Sequence, residues 1–540
     1  MKKKIKKNQD KKKMQLYRDY IELIAVGGIT GVVAGAIVTI FNILIHEGEL
    51  FSRGVYAYVR ANPVFIPVLF LALLAGAFLV GVLGNISSVI RGCAIPQVEG
   101  ATRGVIRFRW WRDLTAMFAA SLLSIFMGLS IGAEGPSVMI GATSGDGVSA
   151  VLKRNQMIRR YQITGGACTG LAVASNAPLT GMAFAFEEAY KRFTPEVFIC
   201  AFSTVIFGVL TRTGIYNLLN MEVQSAFHSY IFHNLPTKYL GFVVVAGIVC
   251  GVAGVVFYKS CFKLRSYFKK IEWKNPKISY IIRVMIAVLL GGAVSLLAVD
   301  VMGGGHDLIE SLGTLGGTTS PSTESAFGLP LIWTLILVLV LKFSITTVNV
   351  ASGIPCGIFI PIIAIGACLG GLLNGLWLEV DPNMAAYCDL MVMICMAAFF
   401  TTVVKAPITS IVMICEFTGS FASLLPVIIA VSIGYVIGEM SRTDGIYEEL
   451  LEHFEEETGI HERASREVFT LTVAFGAMAD KRSVRDVLWP SGARVKELAR
   501  GEEIILPDGD TVLRGGDVLT IVCRTDEPKK VKEELQHILG

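Results

Sequence analysis

Hydrophobic residues in this chain come in long blocks rather than in alternation, and the blocks fill the stretch from about Ile21 to Met440. Ile21–Ile45, Val64–Val82, Leu240–Tyr258, Ile281–Val301 and Leu329–Phe343 with its flanks each approach the about 20 apolar residues that a bilayer crossing needs. Five other segments are too short or too interrupted: Gly135–Gly147, Gly165–Ala174, Pro178–Ala189, Ile354–Gly371 and Ala406–Thr418. Short helices persist in a membrane only where protein or a watery cavity satisfies their free backbone groups. The pattern predicts an all-α polytopic membrane protein with short broken helices in its interior.

Beyond Met440 the pattern changes. Glu448–Glu467 is acidic and polar, and reads as a solvated linker or a connecting helix. From Val468 the periodicity is that of a small α/β domain. Strand-like Val468–Ala474 and Val518–Cys523 flank helix-like Val484–Leu488, and the amphipathic run Pro528–Leu539 closes the chain. Asp508-Gly509 and Gly515-Gly516 turns separate the short β segments. The expected organisation is a basic tail at 1–19, a membrane domain at 20–447, a linker at 448–467 and a cytosolic domain at 468–540.

Composition sharpens this picture at a few points. Only 17% of the 540 residues are charged and 53% are hydrophobic, where a soluble protein carries roughly 25% charge. The net charge of +4 leaves no basic face for nucleic acid. Eleven cysteines lie mostly in apolar runs, with no CxxC pair or Cys/His cluster, so neither a metal site nor a disulfide framework is expected. There is no P-loop, nucleophile elbow or metal-ligand spacing, so an enzyme and a cofactor both lack support. Eight lysines among the first 13 residues, with no cleavable signal peptide, keep the N-terminus in the cytosol.

Two stretches, one in each half, spell nearly the same phrase. Gly132-Ala-Glu-Gly-Pro136 leads to Ile140, Gly141, Ala142 and Gly145; Gly357-Ile-Phe-Ile-Pro361 leads to Ile365, Gly366, Ala367 and Gly370. Ala177-Pro-Leu-Thr-Gly181 running to Glu187 is echoed by Ala406-Pro-Ile-Thr-Ser410 running to Glu416. Related halves, each with a Gly/Pro-broken apolar segment, are the mark of a transporter whose site lies at the breaks. Helix N-termini there present unpaired N–H groups and a partial positive charge, which suits an anion. A carboxylate inside the bilayer costs at least ~2.5 kcal/mol and is kept for function or pairing. Glu134, within the first break, is the strongest such candidate. For Glu187 and Glu416 a role and a plain helix end at the membrane boundary stand equal. Gly303-Gly-Gly-His-Asp307 reads as a loop.

From about Ile21 to Leu451 the chain resembles the CLC family of chloride channels and proton-coupled chloride antiporters. Gly92-Cys-Ala-Ile-Pro96 with Glu99-Gly100 is similar to the family's GSGIP segment, Gly132–Pro136 to GREGP, and Gly357–Pro361 to GIFAP. Asn176-Ala-Pro-Leu-Thr-Gly181 through Glu188 looks like the helix bearing the internal proton glutamate. The resemblance implies an inverted-repeat dimer that exchanges chloride or a related anion for protons. Glu134 would be the external gate and Glu188 the internal proton glutamate. Cys93, the backbone N–H groups at Ile358 and Phe359, and the Tyr447 hydroxyl would hold the anion. Three departures stand out: Cys93 replaces serine, Ala94 replaces glycine, and Ala133 replaces arginine. A thiol is the weaker donor, so the departures bear on which anion is preferred. A passive channel of the same fold and a fluoride/proton antiporter are the alternatives, and a membrane-tethered receptor is the reading from another class.

Val468–Gly540 resembles the RCK-C, or TrkA-C, ligand-binding domain of potassium-transport regulators, on Leu498 through Ile521 with the run Ile505-Leu-Pro-Asp-Gly-Asp-Thr-Val-Leu-Arg-Gly-Gly-Asp517. That resemblance implies a regulatory module for a cyclic dinucleotide such as cyclic di-AMP, or another small ligand; a dimerisation module is the alternative.

Overall fold

A computed structural model describes residues 2–191, 193–221, 230, 233–271, 273–313, 331–419, 421, 424–458, 465–490, 492–501, 503–525 and 528–540. The C-terminal part of the expected linker, 459–464, and the start of the expected span Leu329–Phe343 lie outside them. Helices follow one another through the apolar part: α1 (Lys2–Ala61), α2 (Ile66–Ile86), α3 (Ile95–Arg103), α4 (Trp110–Phe126), α5 (Glu134–Val151) and α6 (Gln156–Ser175). Next come α7 (Pro178–Phe184), prolonged by a π-helical turn Ala185–Ala189, then α8 (Pro195–Leu218), α9 (Leu240–Lys269), α10 (Pro276–Leu297) and α11 (His306–Gly313). The second half continues with α12 (Leu331–Ser352), α13 (Phe359–Leu378), α14 (Cys388–Val404), α15 (Pro407–Thr418), α16 (Leu424–Met440) and α17 (Ile446–Thr458).

Among the described residues, eight helices are long and apolar enough to cross a membrane. The first does not stop at Ile45: the helix runs unbroken from Tyr20 to Ala61, 42 residues, or about 60 Å at the α-helical rise, with Glu47, Glu49, Arg53 and Arg60 along its second half. That is about twice the hydrocarbon thickness. The backbone of the basic tail also continues into α1. Two segments expected to be short are full helices, since α6 and α13 each have 20 residues. Hydropathy undercounted them because Gly and Thr dilute α6, and because Gly357 precedes α13 while Pro361 sits in its first turn, where proline does not break a helix.

Small residues set the close packing, as they must where lipid gives helices little reason to associate. Gly27, Gly31 and Gly35 recur every fourth residue on α1, and a Cβ on any of them would run into Ser203, Thr204 or Gly208 of α8. Gly141 and Gly145 of α5 meet Gly166 and Gln162 of α6 in the same way.

The acidic stretch after Met440 begins as α17, an amphipathic helix that buries Ile446, Tyr447, Leu450, Leu451 and Phe454. Past it, β1 (Ser465–Thr472), β2 (Ala493–Arg500), β3 (Glu503–Ile505) and β4 (Val518–Thr525) form an antiparallel sheet of order β1-β4-β2-β3. Helix α18 (Pro528–Leu539) places Leu535 and Ile538 in a core with Leu498, Leu519 and Ile521. The helix-like run Val484–Leu488 is only a 3-10 turn, Val484–Asp486. Strand β2 was not foreseen: a bulge between Val495 and Glu497 breaks the two-residue alternation by which a strand is read. The α/β domain docks on the membrane domain, with Arg482 3 Å or less from Glu196 (2.6 Å) and the Arg160 guanidinium donating to the Trp489 carbonyl at 3.2 Å.

Candidate functional site

Three helices start where the chain is broken by glycine, and the breaks meet. The Gly132 N–H donates to the Gly357 carbonyl at 2.8 Å, making an isolated antiparallel bridge between the two echoed phrases. The Cys356 N–H donates to the Gly92 carbonyl at 3.1 Å, and the Gly92 N–H to that of Gly353 at 2.9 Å. A Cβ on Gly135 would stand 2.8 Å from the Cys93 carbonyl oxygen and 2.9 Å from the Gly357 Cα. Glycine is required for this approach. It brings the starts of α3, α5 and α13 together, and the first N–H groups of each helix have no intrahelical partner. Ala94, at the cap of α3, takes φ +69° and ψ −47°, a conformation that suits glycine and strains alanine.

Tyr447 is buried near the start of α17, and its hydroxyl has no hydrogen-bond partner among the described residues. It stands within electrostatic reach of Cys93, Cys356, Glu188 and Glu134. Ile358 caps α13 and Phe359 begins it, both buried, with the Phe359 ring edge-on to Phe400 at 4.8 Å. Cys93 is also buried, with Cys356 beside it. The six residues expected from sequence are therefore assembled around one core: Cys93, Ile358, Phe359 and Tyr447 at the helix starts, and a carboxylate to either side.

Those carboxylates differ in surroundings. Glu134 is the first residue of α5, and its Oε2 has no partner among the described residues. From there α5 leads toward Asn155, whose side chain lies 3.3 Å from His537 of the α/β domain, so Glu134 marks the end remote from that domain. Glu188 is buried in the π-helical turn after α7. Lys191, Glu99 and Glu448 surround it electrostatically, with Lys191 Nζ 2.9 Å from Glu99 and 3.1 Å from Glu448. This is the end nearer the α/β domain.

Glu187 and Glu416 have a different task. Glu416 accepts from the Leu179 and Thr180 N–H groups at 2.8 and 2.6 Å, capping α7. Glu187 accepts from Ile408 and Thr409 at 2.9 and 2.6 Å, capping α15. Each half supplies the acid that caps the matching helix of the other, which accounts for the second sequence echo. These contacts fix the starts of α7 and α15.

Two features escaped the sequence reading. A cavity of about 520 Å³ leads up to Cys93 and is lined by Arg91, Arg265, Lys269, Lys274 and Arg283, with Glu456 and Glu457 on its wall and Glu457 paired to Arg265 at 3.0 Å. Its cations come from three separate parts of the chain, so no contiguous basic motif could announce it. The other is His306, whose Nε2 lies 3.4 Å from Glu134 Oε1. The run Gly303–Asp307 is the only local signal for it, and that run reads equally well as a loop.

With this geometry in place, comparison with known proteins is informative. Residues 75–439 match the family described as voltage gated chloride channel, and residues 468–536 match the TrkA-C domain. The H(+)/Cl(-) exchange transporter ClcA of Vibrio cholerae serotype O1 is 29% identical over 440 residues, covering 78% of this chain and 87% of that one. The ClcA of Yersinia pestis bv. Antiqua is 29% identical over 345 residues, 63% and 67% of the two chains. Among solved structures, a slow cyanobacterial Cl-/H+ antiporter superposes with a TM-score of 0.72 at 23% identity, over 81% of this chain and 99% of that one. A CLC-type fluoride/proton antiporter gives 0.59 at 21%, over 80% and 98%. At such identities the superpositions speak for the fold alone.

Proposed function

The chain belongs to the voltage gated chloride channel family, and from that premise we propose that it is a secondary active transporter exchanging chloride, or a related small anion, for protons. The observation that carries the reading is the pair of buried carboxylates, Glu134 and Glu188, both within electrostatic reach of one unpartnered hydroxyl, that of Tyr447. A buried acid can gate a passive pore as well, so it is the second one, Glu188, on the other side of the site that favours exchange over a channel.

In this reading the N–H groups at Ile358 and Phe359, the Tyr447 hydroxyl and the Cys93 thiol hold the anion without a full positive charge, which would bind too tightly for release. Ionised Glu134 competes for the same donors; protonated, it no longer attracts them and leaves the path. Glu188 delivers protons from the side of the α/β domain. The cavity beneath Cys93 carries five cations, Arg91, Arg265, Lys269, Lys274 and Arg283, against two acids, Glu456 and Glu457, and this positive balance draws anions on that side. We place both termini in the cytosol, so that Glu134 faces outward. The protein works as a homodimer in lipid with one pathway per subunit, and its domains divide at 1–19, 20–447, 448–467 and 468–540. The C-terminal domain regulates transport through a small ligand, a cyclic dinucleotide such as cyclic di-AMP.

Glu188→Gln tests the assignment. Recorded with chloride and pH electrodes in the same liposomes, this variant should keep chloride flux while proton flux falls below detection. Equal retention of both fluxes would mean that Glu188 carries no protons.

A further inference from the structure

We propose that His306 is the outer proton-exchanging partner of Glu134, collecting a proton from the outer solution and handing it to the gating carboxylate. The inference rests on the reading of Glu134 as the gate. Its ground is geometric. The Glu134 side chain is 2% exposed, whereas His306, with Nε2 3.4 Å from Glu134 Oε1, is 37% exposed. The imidazole is thus the partly exposed member of the pair, and the carboxylate lies behind it.

The loop that carries His306 is fixed from several sides. Gly303 at φ +61° and Gly305 at φ +105° take conformations that suit glycine. Lys342 of α12, fully buried, donates its Nζ to the carbonyls of Val301 and Gly303 at 3.1 and 2.9 Å. The Gly304 N–H donates to Glu49 of α1 at 3.5 Å. A Cβ on Gly304 would stand 3.5 Å from the Gly132 Cα, so the loop rests on the bridge that joins the helix starts. The charged groups facing His306 are three acids, Glu134 from α5, Glu49 from α1 and the adjacent Asp307, with the cations Arg53 and Lys342 set against Asp307 and the loop carbonyls. Arg53 pairs with Asp307, and Lys342 opposes Glu49. The second and third acids thus have cations of their own nearby, and the Glu134 carboxylate is the acid in direct contact with the imidazole.

Histidine is the side chain whose ordinary titration falls between about pH 5 and 8. In the step itself, the Nε2–H bond of the imidazolium breaks and an Oε1–H bond forms on Glu134. The ring is left neutral and the carboxyl neutral, free to leave the anion site. The ring then regains a proton from outer water, and the cycle run in reverse releases a proton outward.

The test uses the full chain in liposomes with external pH varied at fixed internal pH. His306→Gln keeps an N–H donor but cannot titrate, and His306→Ala makes room for added imidazole. The expected result is a loss of at least about tenfold in coupled exchange for both, in line with removal of a general acid–base group. The inflection of wild-type rate against external pH should vanish in H306Q, and external imidazole should restore H306A. An unchanged pH profile in H306Q, or no rescue of H306A, overturns the proposal. Glu134→Ala, run alongside, separates the two levels. If it abolishes proton flux while the histidine variants match wild type, only the role of His306 is wrong. If it leaves proton flux intact, the reading of Glu134 as gate fails and this inference fails with it.

Discussion

At the scale of single residues, the proposed anion site differs from the family pattern it resembles by one atom at Cys93 and one methyl group at Ala94. Cys93 presents a thiol where the pattern has a hydroxyl, and a charged acceptor gains about 1.5–3 kcal/mol from a good donor. Cys93→Ser should tighten chloride binding by about 1 kcal/mol, close to fivefold, measured by calorimetry on the purified protein. Unchanged affinity would place the thiol away from the anion. Ala94, held at φ +69°, marks the same helix start as a place where backbone geometry has been kept at some cost. The meeting helix starts were legible in the sequence because Gly and Pro dictate backbone path, so the two echoed phrases marked the breaks. His306 was not, because its meaning comes from Glu134, and that contact is created only when the Gly303–Gly305 loop folds back on the Gly132–Gly357 bridge.

At the scale of elements, the reciprocal caps explain why the repeat extends past the anion site. The Leu179 and Thr180 N–H groups of α7 are satisfied by Glu416, and those of Ile408 and Thr409 in α15 by Glu187. A cap of this type is worth about 1 kcal/mol, with the negative charge at the helix N-terminus adding a few tenths. Glu416→Gln and Glu187→Gln should each lower stability by about 1 kcal/mol, read as equal shifts in thermal unfolding in detergent. A large shift in one with none in the other would contradict the symmetry of the arrangement. The sequence showed that the two acids correspond, but not that each serves the other half, since spacing along one chain carries no information on which neighbour an acid meets. Helix lengths were least legible where glycine lowers hydropathy within a buried helix, as in α6, and strand β2 was hidden by its bulge.

At the scale of the whole molecule, the α/β domain rests on the membrane domain through Arg482 with Glu196, and Arg160 with the Trp489 carbonyl and Glu534. Arg160 belongs to α6, and its guanidinium also lies against Gly104, the residue that ends α3. The same side chain thus touches the soluble domain and the helix whose start carries Cys93. Arg482→Glu should loosen the domain by about 1 kcal/mol, the scale of a partly exposed pair, and adding Glu196→Arg should recover most of it; protease sensitivity of the α17–β1 connection reads both. No recovery would show that the pair is incidental to docking.

The central claim is that protons and anions share one coupled pathway. Purified full-length protein in liposomes, with a chloride gradient, equal pH on both sides and the membrane potential clamped, gives the most direct test. Chloride running down its gradient should drive protons in the opposite direction against the pH difference that develops. Rapid chloride movement with no displacement of protons would contradict the account and make the protein a channel.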